Sequence, residues 1–209
     1  MKAPTREIHD EVAGYYSRKL AEHGETPQGV DWNGEAGQIL RFQQLCRVVD
    51  VQSDFSLNDL GCGYGALYEF LSEQYQSFSY HGVDVSADMI AAAKARYHDA
   101  GTVDFLCASE PGGVADYCVA SGIFNVRLGR TEQEWLDYIE STLCVLDGFA
   151  RKGFAFNCLT SYSDADRMRE DLYYANPGYL FDLCKRRFSR HVALLHDYGM
   201  YEFTMVVRK

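Results

Sequence analysis

The chain has 209 residues, 47% of them hydrophobic and 24% charged, a globular balance that excludes a disordered polymer. Its formal net charge of −10 repels polyanions, so duplex nucleic acid and anionic membrane surfaces are poor candidates for partners. No apolar run is long enough to cross a bilayer, and the seven cysteines form no C-x-x-C pair of the kind that zinc or thioredoxin-like chemistry needs.

The length suits one large domain, at most with a small appendage. Most cysteines fall within apolar runs, where they behave as small core hydrophobes, and the N-terminus lacks the uninterrupted apolar core of a signal peptide. Both observations fit a cytoplasmic protein. The histidines do not pair at metal-ligand spacings, so no dedicated metal site is expected.

In chain order, Ile8, Val12, Tyr16 and Leu20 recur at helical spacing over residues 6–21, and Leu40 (or Ile39), Phe42, Leu45 and Val49 do so over 35–49. The stretch between, "HGETPQGVDWNGE", reads as a loop. "FSLNDL" is a short strand that runs into a glycine loop, and a helix over 66–75 follows with Leu67, Phe70 and Leu71 on one face. A strand over 78–85 leads to Ser86, which is placed to cap a helix carrying Ile90, Ala93 and Tyr97. Strands are expected over 103–108 and 116–124, with only a turn or loop between them. Thr131 and Glu134 make a capping-box pattern before a helix bearing Leu136, Ile139, Leu143 and Leu146. A strand over 154–160, a helix near 178–187 and two strands around Tyr198-Gly199 complete the chain. The cluster Lys185, Arg186, Arg187 and Arg190 reads as a solvated helix end.

Strands alternating with helices predict a doubly wound, mostly parallel sheet of seven strands. The last two strands are joined too tightly for a crossover and must pair antiparallel. The expected architecture is therefore α/β, with N-terminal helices and a C-terminal antiparallel hairpin.

The loop "NDLGCGYG" admits three readings: a phosphate cradle, a cradle for another cofactor, or a bare turn. Gly61, Gly63 and Gly65 do not follow G-x-G-x-x-G, and no lysine follows them as a Walker loop requires. Asp59 precedes them, and a carboxylate there repels phosphate but attracts a cationic group. Asp84 ends the second strand, where an acid accepts the hydroxyls of a ribose. A positively charged ribonucleoside satisfies both, and S-adenosylmethionine is such a molecule.

"NDLGCGYGALYEFL", "YHGVDVSADMIAAAKARY", "VDFLCAS" and "DYCVASGIF" together resemble the successive motifs of class I S-adenosylmethionine-dependent methyltransferases, over about residues 56–160. The resemblance implies a single methyltransferase domain over 1–209. Residues 1–50 would supply helices forming a lid, 51–209 a Rossmann-like core, and 161–179 a substrate segment. It also implies that Asp59, Gly61, Cys62, Gly63 and Gly65 surround the methionine part of S-adenosylmethionine, and that Asp84 and Val85 meet its ribose. Met89, Ala108 and Ser109 would meet the adenine, with Ser121 on the floor. Arg41, or Arg47 on the same helix, would pair with the cofactor carboxylate. The third strand lacks the aspartate common after it, and "RKGFAF" carries one glycine where two are common.

Tyr15 and Tyr16 are candidates for covering the cofactor, and His196 and Asp197 for a place near substrate entry; no catalytic base is assigned. The fourth strand ends in "ASGIFN", without the Asn/Asp-Pro-Pro-aromatic motif usual in nucleic-acid N-methyltransferases. The expected activity is methyl transfer to an O or N nucleophile of a small-molecule or glycan-like acceptor. The alternatives are a non-catalytic binding module and an NAD(P)-dependent dehydrogenase.

Overall fold

The computed structural model describes residues 3–50, 54–101 and 103–209. Its seven strands are β1 (Phe55–Leu60), β2 (Phe78–Asp84), β3 (Val103–Cys107), β4 (Ala115–Ala120), β5 (Ala150–Leu159), β6 (His191–Leu195) and β7 (Glu202–Arg208). They form one sheet in the order β3-β2-β1-β4-β5-β7-β6. β1 pairs parallel with both β2 and β4, while β7 lies antiparallel to both β5 and β6. The strand order therefore reverses between β1 and β4, which is where a sheet of this kind opens a crevice at its carboxyl edge. The expected seven-stranded sheet and its antiparallel end are both present. So is the helix-free connection from β3 to β4.

Among the described residues six α-helices surround the sheet: α1 (Ala3–His23), α2 (Glu35–Leu45), α3 (Ala66–Gln74), α4 (Ala87–Arg96), α5 (Glu132–Gly148) and α6 (Pro177–Arg187). One face of the sheet buries Ile139, Leu143 and Leu146 of α5 with Leu180 and Cys184 of α6, and Ile8 of α1 joins that core. The other face buries Phe42 and Leu45 of α2, Leu67 and Leu71 of α3, and Ile90 and Ala93 of α4. Each fully buried Leu or Ile contributes roughly 1.5–3 kcal/mol by leaving water, so both faces are needed to hold the central strands. The caps form as the residue types imply: Ser86 Oγ accepts from the Met89 N–H at 3.2 Å, and Thr131 and Glu134 cap α5 reciprocally. Lys185, Arg186 and Arg187 occupy the last turn of α6.

Three boundaries differ from the sequence expectation. β4 ends at Ala120, because Gly122 adopts φ 76° and turns the chain, so Ile123 and Phe124 pack beyond the strand. β5 starts earlier, at Ala150: the exposed Arg151 and Lys152 form a bulge opposite Asp116 of β4, and both pair with its carboxylate. The first of the two closing strands, expected over residues 191–198, stops at Leu195. The boundary expected near residue 51 adjoins 51–53, which lie outside the described residues.

Candidate functional site

β1 delivers the glycine loop to the crevice. The Gly61 and Cys62 N–H groups both donate to the Val83 carbonyl at the end of β2, which fastens the loop across the carboxyl edge. Gly61 has φ 80° and Gly63 φ 55°, the left-handed region that glycine enters without cost. A Cβ built on Gly61 would stand 2.1 Å from Ile123 Cγ2, so the absence of a side chain is what lets this backbone approach the β4 end. Gly65 plays a different part from the one expected. It caps α3 over Tyr97 and Phe105, whose atoms approach its Cβ position to 2.8 and 3.1 Å, and it does not line the crevice.

The two acids lie side by side at the strand ends. Asp59 is buried; its Oδ2 accepts the Tyr80 hydroxyl at 2.5 Å, while Oδ1 has no partner. Burial pushes its carboxyl up to about 7, the Tyr80 hydrogen bond opposes that rise, and the nearby Asp84 adds to it. Asp84 accepts the Gly63 N–H at 2.9 Å and the Ser86 N–H at 2.8 Å. Burial raises its pKa too, against the lowering effect of those backbone donors.

A cavity runs along this edge. Asp59, Gly61, Cys62, Gly63, Asp84 and Val85 form one side of it, and Met89, Ala108, Ser109 and Ser121 continue the lining. Ser121 Oγ is buried with no partner. Sequence reasoning missed the remaining walls: His9 and Val12 of α1, Gln38 of α2, Val30 and Trp32 of the loop before α2, and Tyr138 and Thr142 of α5. Tyr138 and Thr142 are one helical turn apart and read as an ordinary packing face. Trp32, an aromatic in the polar stretch "VDWNGE", was the signal available.

Tyr16 lines this cavity, whereas Tyr15 donates to Asp31 Oδ2 at 2.8 Å. The space enclosed with α1 in place is about 90 Å³. That is below the roughly 300–1,000 Å³ typical of small-molecule sites.

A second cavity of about 790 Å³ adjoins the first across Tyr16, Val30 and Trp32, which line both. Arg41 belongs here, contrary to expectation. It does not line the first cavity, and its guanidinium grips Glu202 through Nε at 2.8 Å and Nη2 at 2.5 Å. The carboxylate that Arg41 was expected to meet is thus the protein's own. Glu202 also accepts from Asn157 Nδ2 at 2.9 Å, and Asn157 Oδ1 accepts the Gly122 N–H at 2.7 Å, which ties the ion pair to the β4 turn. The Trp32 ring lies 3.8 Å from the Arg41 guanidinium carbon and packs against Gly122. Arg47 is exposed and contacts Gln44, and His196 and Asp197 line neither cavity. Among the described residues, no His/Cys/Asp/Glu group is arranged to hold a metal ion, and no helix is long and apolar enough to cross a membrane.

A family model described as "Methyltransferase domain" matches residues 58–134. The Mycobacterium tuberculosis (strain ATCC 25618 / H37Rv) protein Rv1506c, whose name gives methyltransferase and no acceptor, is 57% identical over 163 residues. That match takes in 78% of this chain and 98% of the relative. Among solved structures, magnesium protoporphyrin IX methyltransferase from Synechocystis PCC 6803 with bound S-adenosylmethionine superposes with a TM-score of 0.64. The identity is 12%, over 100% of this chain and 98% of that one. The N-methyltransferase NodS from Bradyrhizobium japonicum WM9, in complex with S-adenosyl-L-homocysteine, gives 0.66 at 14% identity over 94% and 97%.

Proposed function

Because the chain belongs to the class I S-adenosylmethionine-dependent methyltransferases, we propose that the cavity at the β1–β4 edge holds S-adenosylmethionine and that the larger cavity beside it admits the methyl acceptor. One observation carries the assignment of the first cavity: Asp59 Oδ1 is buried, lacks a partner and borders the glycine loop. An unpaired buried carboxylate oxygen is costly, and a cationic ligand offsets that cost. When bound, the cofactor supplies a methyl carbon on a positively charged sulfur, so that transfer to the acceptor's lone pair leaves the sulfur neutral.

The chain's own groups then do the rest. Gly61 and Gly63 leave room for the methionine part, with Cys62 between them. Asp84 keeps lone pairs for ribose hydroxyls after accepting two backbone N–H groups, since a carboxylate accepts about four hydrogen bonds. Val85 lies beside the ribose, Met89 offers apolar surface to the adenine, Ala108 and Ser109 its edge, and the unpartnered Ser121 hydroxyl a polar contact on the floor. α1 is the cover that excludes water, and it supports the reading of residues 1–50 as a lid on a single domain over 1–209. Alignment and water exclusion are the main demands of an in-line displacement.

We read the acceptor as an O or N nucleophile of a small or glycan-like molecule. A neutral amine or a carboxylate needs no base, and a hydroxyl does. The test is calorimetric titration with S-adenosylmethionine and S-adenosylhomocysteine. Binding that is lost in Asp84→Ala, in a variant that keeps its thermal transition, is the expected result. No binding by the unaltered protein at millimolar cofactor would sink the assignment. Incubation with labelled cofactor and a cell extract then identifies the methylated product.

A further inference from the structure

The second cavity carries information about what enters it. Its charged walls are Arg41, Arg167, Arg169, Asp31 and Glu202. Arg41 and Glu202 neutralise each other in a buried, bidentate pair. Asp31 is met by Lys19 Nζ at 2.9 Å, and Arg169 by Asp171 at 2.6 Å, with a longer Arg169–Asp31 contact of 3.5 Å closing the group. Those six charges cancel. Arg167 is left over: among the described residues its side chain makes no ion pair or hydrogen bond. Its sequence neighbours Asp164 and Asp166 do not line the cavity; Asp164 accepts the Tyr201 hydroxyl and keeps its negative charge. A chain of net charge −10 therefore presents one guanidinium without a direct partner, on the exposed wall of the larger of these two cavities.

The segment that carries Arg167 is anchored at both ends. Thr160 bridges to Ala175 and Val126 to Leu172, and the Tyr173 N–H donates to the Asn125 carbonyl at 2.8 Å. Close by on the cavity wall, the Tyr174 oxygen accepts the Arg169 backbone N–H at 2.9 Å, which leaves its own proton free to donate. A cavity of about 790 Å³ is within the range of small-molecule sites.

Resting on the two-cavity reading above, we propose that the second cavity selects a hydroxylated small-molecule acceptor bearing one anionic group, a carboxylate or a phosphate, received by Arg167. The anion gives Arg167 the direct partner it lacks, and a guanidinium binds either oxyanion with charge-assisted hydrogen bonds.

The experiment titrates glucuronate, glucose 6-phosphate and glucose into the protein, free and loaded with S-adenosylhomocysteine, and follows binding by saturation-transfer NMR and calorimetry. At least one charged sugar is expected to bind about tenfold or more tightly than glucose, since loss of a charged hydrogen bond costs about that much. Which of the two binds tells carboxylate from phosphate. Arg167→Gln is expected to abolish the preference and Arg167→Lys to keep part of it, with S-adenosylhomocysteine affinity unchanged in both. Equal binding of all three sugars, no binding of either anion, or a preference that survives Arg167→Gln overturns the proposal. Failure of S-adenosylhomocysteine to bind while the charged sugars do would instead remove the cofactor assignment.

Discussion

Replacing Asp59 by Asn removes a charge and leaves the local shape in place, because the amide oxygen still accepts the Tyr80 hydroxyl. The folded-state pKa of about 7 lies above the ordinary value of 3.8, so between those limits the folded chain holds a proton that the unfolded chain has released. The associated stability is fully present below about pH 4, is lost as pH rises toward about 7, and stays lost above it. Three pKa units at about 1.4 kcal/mol each make a total of roughly 4 kcal/mol. By pH 5 somewhat less than half of that has gone, so the stability of Asp59→Asn relative to wild type should increase by roughly 3 kcal/mol from pH 5 to pH 8. Urea unfolding of both proteins at the two pH values, extrapolated to water, measures this. Parallel pH profiles would refute the reasoning, since they would mean that Asp59 is ionised in the folded chain throughout. The same carboxyl is half protonated near pH 7, so S-adenosylmethionine should displace about half a proton on binding, read from calorimetry in two buffers of different ionisation enthalpy. The Asn variant should displace none and bind at least about tenfold more weakly.

Two further substitutions probe the walls of the site. Gly61→Ala places a Cβ 2.1 Å from Ile123 Cγ2 at a positive φ; a loss of roughly 1–3 kcal/mol in thermal unfolding, together with loss of S-adenosylhomocysteine binding, is expected. Glu202→Ala strands the buried Arg41 guanidinium and should cost roughly 3–5 kcal/mol in denaturant unfolding, whereas the double variant Arg41→Met/Glu202→Leu should recover most of it; equal losses in both would show that the charge is not the cause.

The sheet was legible in the sequence because its signals are local. β1 is an apolar run stopped by a glycine loop, α4 starts at a serine cap, and α5 starts at a capping box whose two residues are three apart. The two acids at the β1 and β2 ends were readable for the same reason. What escaped depends on partners far along the chain. Arg41 looked like a cofactor ligand because Glu202, 161 positions away, cannot be seen beside it in sequence. The Ala150–Lys152 part of β5 looks like a charged turn until Asp116 is brought alongside. Tyr138 and Thr142 have the spacing of any buried helix face; only the closing of α1 over the carboxyl edge turns that face into a cavity wall. Ile123 and Phe124 mimic a strand because apolar content alone does not reveal the positive φ of Gly122.

Asp31 is a group on which α1 and the stretch after β5 meet. Tyr15 and Lys19 reach it from α1, and Arg169 reaches it from the stretch after β5. Swinging α1 outward breaks the first two contacts and leaves the third as the carboxylate's remaining partner. On the proposed reading the lid and the acceptor wall share this latch, and admission of one substrate resets the grip on the other. Such an arrangement makes the sequence of arrivals matter. A steady-state study varying both substrates should return intersecting patterns with a compulsory order, and neutralising Asp31 should relax that order into random entry.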